Sequence, residues 1–293
     1  MPALASPKTP YRVGSRTFDW FDPSRPTPAH GNYRARSGRE IVTVIWYPAE
    51  GAPSTSVHDD ATPAHDGGPF PVVLFAHGHG GEPADYRTDI FEWVSRGYVV
   101  VAPEFPLSNR RTPGGPVYTD LTYQPGDMSY VLTRALEANA DPSSWLHGVI
   151  DPRRVGAVGH SAGAWTVLAL VANTCCRDRR VTAAIILAGE MNPTFKGTFY
   201  TDGAPPLLFV HAVGDATVPY AAGKQAYLSA PSPKYLFTLK VGDHATPYLG
   251  YRYPEGTAAL HVTDEFLDRY LRDITSVAIT NPNHSLATLV SRS

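Results

Sequence analysis

Ser161 lies in Gly159-His160-Ser161-Ala162-Gly163, a Gly-x-Ser-x-Gly pentapeptide between the apolar run 155–158 and a helix expected over 162–173. A serine hydroxyl is a weak nucleophile at its ordinary pKa, so it must be aimed and given a base. A sharp strand-to-helix turn does the aiming: Gly159 and Gly163 lack the Cβ atoms that collide in so tight a turn, and Ser161 is lifted out at its tip. The N-terminus of the following helix directs N–H groups toward the place where negative charge would develop.

A base and an acid follow in order. Asp215, in Gly214-Asp215-Ala216-Thr217-Val218-Pro219, heads a turn suited to holding a carboxylate toward an imidazole. His244 follows Val241-Gly242-Asp243 in a loop after the last buried strand, where a base must lie. Asp243 is the alternative acid, although its adjacency to His244 makes it hard for it to orient the ring, and Asp215 can also serve as a helix cap. His211, at a strand end, reads as a hydrogen-bonded interior residue. His160 reads as packing or pocket lining rather than a proton carrier. Backbone donors for a developing oxyanion are the N–H groups of Ala162 and of His79, the latter in His77-Gly78-His79-Gly80-Gly81. No Gly-Lys-Ser/Thr follows that glycine-rich loop, which argues against nucleotide binding. His79, His160, Trp165, Met191 and Phe195 are the expected substrate contacts.

The elements that must position these residues alternate. Strands are expected over 11–21 and 40–47 as an antiparallel hairpin, then over 71–76, 98–102, 154–158, 181–187, 206–211 and 235–239 as buried strands. Helices are expected over 85–95, 127–138, 162–173, 221–228 and 262–272. Strands alternating with helices make a mostly parallel sheet with helices on both faces, and ligands bind at the carboxyl ends of such strands. Residues 49–70 read as a mobile loop and residues 274–293 as a loosely attached tail. His58, Asp59, Asp60, His65 and Asp66 fall in that loop without metal-ligand spacing, so neither a metal nor another cofactor is expected. Cys175 and Cys176, the only cysteines, are expected as plain residues at a helix end, because the ring closed by adjacent cysteines is strained.

At 293 residues and 43% hydrophobic content one domain with a substantial core is expected. No run approaches the roughly 18 apolar residues of a membrane span, and a net charge of −2 with scattered arginines offers no field for nucleic acid. Residues 1–7 have neither a charged nor an apolar signal region. As written the chain carries no export signal, its compartment stays open, and a monomer is expected.

The segments Val44-Ile45-Trp46-Tyr47-Pro48-Ala49, His77 to Gly81, Gly159 to Gly163, Gly214 to Pro219 and Gly242-Asp243-His244 together resemble the α/β-hydrolase superfamily. Within it the chain is most similar to the platelet-activating-factor-acetylhydrolase-like and cutinase-like (polyester hydrolase) esterases, over about residues 11–272. The resemblance implies an α/β-hydrolase fold without a large cap domain, Ser161 as nucleophile, His244 as base, Asp215 as orienting acid, and His79 and Ala162 as the oxyanion donors. It implies hydrolysis of carboxylic esters through an acyl-enzyme. The connection 189–204, short and carrying Pro193, Gly197 and Gly203, and the Pro- and Gly-rich loop 103–123 leave no room for a helical cap, so an open site favouring short to medium acyl or bulky and polymeric esters is expected. Three departures bear on polyester activity rather than on esterase chemistry. His79 stands where polyester hydrolases usually place an aromatic residue, Ala162 where they place Met, and their C-terminal disulfide is absent. Dienelactone hydrolases are similar in size but use Cys, so Ser161 argues against them. The rival readings are an amidase or peptidase of the same fold and a non-catalytic hydrolase-fold binding protein.

Overall fold

A computed structural model of the chain describes residue 4, residues 9–250 and residues 253–292. The expectation for residues 1–7 lies, Leu4 apart, outside the described residues. Strand β4, Phe70–Ala76, sets the pattern. Every residue in it is buried. Val72, Leu74 and Ala76 join one core cluster while Val73 and Phe75 join another, as a strand covered on both faces requires.

Around β4 run β1 (Arg12–Asp22), β2 (Arg39–Ala49), β3 (Val57–Asp59), β5 (Val99–Pro103), β6 (Ile150–His160), β7 (Val181–Leu187), β8 (Leu207–Ala212), β9 (Lys234–Leu239) and β10 (Ala287–Arg292). They form one ten-stranded sheet in the order β10-β9-β8-β7-β6-β4-β5-β2-β1-β3. The strands from β9 to β5 are mutually parallel, whereas β2 joins β5, β1 joins β2 and β10 joins β9 antiparallel. Helices α2 (Gln124–Ala140), α3 (Ala162–Ala172) and α4 (Tyr220–Ser229) cover one face, and α1 (Arg87–Ser95) and α5 (Pro254–Leu271) the other. Burying Val131, Leu132, Val167 and Leu168 on one side and Trp93, Val262 and Phe266 on the other closes both cores, each large side chain contributing about 1.5–3 kcal/mol.

Three expectations need correction. The segment after residue 273 is not a loose tail: Ala287 is buried, and Ala287–Arg292 pairs along the whole of β9 from Leu239 to Lys234. An edge strand needs one neighbour and one apolar face, so its short run shows little of the hydrophobicity that marks a central strand. The 49–70 loop carries β3, which pairs with β1, and Tyr47 Oη donates to Ala61 C=O at 2.7 Å. Its acids are engaged locally, Asp59 by Ser15 at 2.5 Å and Asp60 by Arg16 at 2.8 Å. Finally, Cys175 and Cys176 are not plain thiols but joined as a vicinal disulfide. The turn after α3, in which Asn173 Oδ1 accepts the Cys175 N–H at 3.0 Å, brings the sulfurs together.

Candidate active site

The carboxyl ends of β4, β6, β8 and β9 deliver the residues singled out above. Ser161 alone separates β6 from α3, with φ 56° and ψ −124°. Positive φ at a non-glycine residue costs on the order of 1–3 kcal/mol and persists only where the surroundings enforce it. Here the Ser161 N–H donates to Leu187 C=O at 2.9 Å, while its own C=O accepts from Trp165 N–H at 3.1 Å. A Cβ at Gly163 would meet the Ala76 carbonyl and lie 2.6 Å from His77 O, so only glycine lets α3 start against the end of β4.

His244 Nε2 stands 2.8 Å from Ser161 Oγ, and His244 Nδ1 stands 2.8 Å from Asp215 Oδ2. Asp215 is buried, and three donors serve its carboxylate, with His211 close by. Oδ1 accepts the Thr217 and Val218 N–H groups, each at 2.9 Å; Oδ2 accepts from His244 and lies 3.2 Å from His211 Nε2. Burial works to raise its pKa, but the hydrogen bonds from His244, Val218 and Thr217 outweigh it and hold the carboxyl below the usual range. Asp243 turns away: its Oδ1 accepts the Ala245 and Thr246 N–H groups at 2.8 and 2.7 Å, so it shapes the loop that carries His244. The structure therefore places Asp215 and not Asp243 on the imidazole.

The glycine-rich loop after β4 lies against Ser161. A Cβ added to Gly78 would be 3.3 Å from Ser161 Cβ. Among the described residues neither the His79 N–H nor the Ala162 N–H has a protein acceptor, and Ala162 is the first residue of α3, where backbone donors lack intrahelical partners. His77 fixes this loop from below. Its Nδ1–H donates to Gly78 C=O at 2.7 Å and its Nε2 accepts the Phe105 N–H at 3.1 Å, while burial drives its pKa down to about 4 and keeps it neutral.

Of the expected substrate contacts, His79 and Trp165 lie on either side of Tyr118. The Tyr118 ring stacks on His79 with centroids 3.9 Å apart and lies 6.2 Å from Trp165, making an aromatic wall beside the oxyanion loop. His160 does not line the cleft. It is buried at 5% exposure with both ring nitrogens engaged, so its expected contact with substrate is withdrawn. Phe195 is buried against Leu121, Ala162 and Ala169. With Met191 it borders a cavity of about 690 Å³ whose walls include Phe199 and Tyr200 but neither Ser161 nor His244. Tyr118 and Tyr86 were missed as site residues. His211 is the hydrogen-bonded interior residue expected: it is buried, and its Nε2–H donates to Val218 C=O at 2.9 Å. Among the described residues no group of three or more metal-ligating side chains converges.

A parallel sheet with helices on both faces, carrying a serine on a strand-to-helix turn and an acid and a histidine beyond later strands, defines the hydrolase class of α/β fold. The sequence model of the alpha/beta hydrolase family matches residues 73–287, and the chain belongs to that family. Among solved structures the chain is similar to a ferulic acid esterase from Streptomyces cinnamoneus, at 23% identity and a TM-score of 0.73, with 99% of each chain covered. At that identity the likeness is one of fold. No curated protein sequence matches the chain.

Proposed function

We propose that this protein is a serine hydrolase that cleaves carboxylic esters through an acyl-enzyme. The observation that carries the reading is the unbroken line from Asp215 through His244 to Ser161 Oγ, with the adjoining loop and helix end carrying the His79 and Ala162 N–H groups, which have no protein acceptor among the described residues. In this reading Ser161 Oγ attacks the ester carbonyl as His244 Nε2 takes its proton, and Asp215 supports the imidazolium that forms. The N–H groups of His79 and Ala162 hold the oxyanion, a contribution of about 3–4 kcal/mol to the transition state per donor. His244 then protonates the departing alcohol, and water, deprotonated by the same nitrogen, releases the acid.

The segment between β7 and β8, residues 188–206, contains no helix, which supports a site without a helical cap, open to short or medium acyl groups and to bulky or polymeric esters. Tyr118, 53% exposed over His79, supplies a flat apolar face to an aromatic acyl group. The structural neighbour is described as a ferulic acid esterase, and ferulic acid is an aromatic carboxylic acid. A series of p-nitrophenyl esters of graded acyl length tests the reading. Rates should fall beyond roughly eight to ten acyl carbons, because a shallow cleft buries few further CH₂ groups at ~0.8 kcal/mol each. Tyr118→Ala should weaken aryl esters a few-fold relative to acetate, the scale of one aromatic pair at about 0.5–1.5 kcal/mol. Best turnover on long-chain emulsions, with a jump in rate at the interface, would contradict the open site.

A further inference from the structure

We infer that Tyr86 and His160 are positioning residues that tie the oxyanion loop to the loop carrying His244, an inference that rests on Ser161 and His244 acting as proposed above. Three hydrogen bonds run in line, the first two buried and the third partly so. Gly78 N–H donates to Tyr86 Oη at 3.1 Å, the Tyr86 hydroxyl donates to His160 Nδ1 at 2.8 Å, and His160 Nε2–H donates to the His244 carbonyl at 2.7 Å. The direction is fixed from both ends, because an amide N–H only donates and a carbonyl only accepts. One proton arrangement satisfies every atom. It requires neutral His160, and burial drives the pKa of that ring down to about 3.

The relay has packed surroundings, and what it holds is a loop. Tyr86 and His160 are 3% and 5% exposed, Phe75 packs against the Tyr86 ring at 4.7 Å, and Tyr248 packs against His160 at 5.0 Å. His160 ends β6 directly before Ser161, so one strand end carries both the nucleophile and the fixed point for the base. His244, by contrast, belongs to a half-buried loop entered through Gly242 at φ 107°. Asp215 orients its ring but not its backbone. The His160 bond to the His244 carbonyl supplies that second constraint, and the Tyr86 bond to Gly78 places the neighbouring His79 N–H in the same frame. Displacements near 1 Å in such a constellation cost on the order of 10²-fold in rate.

Amide replacements separate the two arms. In His160→Asn the side chain reaches only the Nδ1 position, keeping a partner for Tyr86 and losing the bond to His244; in His160→Gln the amide nitrogen reaches the Nε2 position and keeps it. His160→Asn should lower kcat roughly tenfold to a hundredfold with KM little changed, slow fluorophosphonate labelling of Ser161 in parallel, and weaken the far-downfield proton resonance of the His244–Asp215 hydrogen bond. His160→Gln should restore most of all three. Equal losses in the two variants with an undisturbed resonance, or full activity in His160→Asn, would overturn the proposal. Should His160→Asn fail to fold, Tyr86→Phe decides by the same readouts: a fall in kcat at constant KM supports the relay, and unchanged kcat overturns it. Ser161→Ala run alongside keeps the two levels apart, since hydrolysis surviving there removes the serine reading itself.

Discussion

Two clusters in this molecule pair aspartates with cationic or basic side chains, and they are built for opposite ends. Around Arg39, Asp127 takes the Nε and Nη2 donors at 2.8 and 2.6 Å, Asp120 takes Nη2 at 3.0 Å, and all three side chains are fully buried. Arg25 adds a contact to Asp127 at 2.7 Å, and Asp120 Oδ2 accepts the Leu107 N–H at 3.2 Å. The partners there are guanidinium groups, which neither take up nor release a proton. At Asp215 the carboxylate is equally well surrounded, but one of its donors is an imidazole whose other nitrogen reaches a hydroxyl at the surface, and the His244 side chain is 18% exposed. The first cluster holds position: it pins β2, α2 and the 3-10 turn Tyr118–Thr122, and so carries Tyr118 to His79. The second can transmit a proton. An acid becomes part of a reaction when its partner titrates and the far side of that partner is open, not when the acid is merely buried and satisfied.

The sharpest way to break this contrast is to neutralise the acid in the second cluster. Asp215→Asn keeps the shape but removes the charge that supports the imidazolium, and kcat should fall on the order of 10⁴-fold. Asp243→Asn should leave kcat nearly unchanged. Steady-state kinetics of the two variants check this, and a reversal would assign the acid to Asp243. In the first cluster the expected loss is one of stability. Asp127→Ala leaves Arg39 buried beside fewer acceptors and should cost about 3–5 kcal/mol in denaturant unfolding, while kcat measured well below the unfolding transition changes little. A proportionate loss of kcat at full folding would mean that the cluster takes part in the chemistry.

The smallest expected effect concerns His160, which stays neutral in the folded chain down to about pH 3 but takes up a proton near its ordinary value of 6.5 when unfolded. Below that value the unfolded state binds more protons, so this residue removes stability as pH falls. It contributes no pH dependence above it. His160→Gln has no such proton, and its stability relative to wild type should improve on acidification from pH 6.5 toward 4, by at most about 1.4 kcal/mol per pH unit. Unfolding free energies of both proteins at three pH values in that window measure it, and parallel curves would show that His160 is solvated in the native state.

The parallel core was legible because strands buried on both faces must be apolar throughout, as Val72 to Phe75 are. The serine turn was legible because tight backbone approach restricts Gly159 and Gly163 to glycine. Asp215 and His244 were legible through their place after successive strands. What escaped depends on contacts between distant segments. Nothing local in Tyr118 or Tyr86 states that one ring lies on His79 and the other hydroxyl bridges Gly78 to His160. His160 was misplaced as substrate-lining because adjacency to Ser161 in the chain was equated with adjacency to the cleft, although the side chain before the turn points into the fold. The strand Ala287–Arg292 escaped because pairing with β9 rests on backbone bonds, to which side-chain hydrophobicity is a poor guide at an edge.

The central claim is that one hydroxyl, Ser161, is made nucleophilic by the line through His244 to Asp215. Labelling with a fluorophosphonate, followed by peptide mass spectrometry, tests it most directly. A single adduct on Ser161 is expected, absent in Ser161→Ala and strongly slowed in Asp215→Asn, with the fold of each variant intact by circular dichroism. An adduct on another residue, or labelling and ester hydrolysis that survive Ser161→Ala, would contradict it.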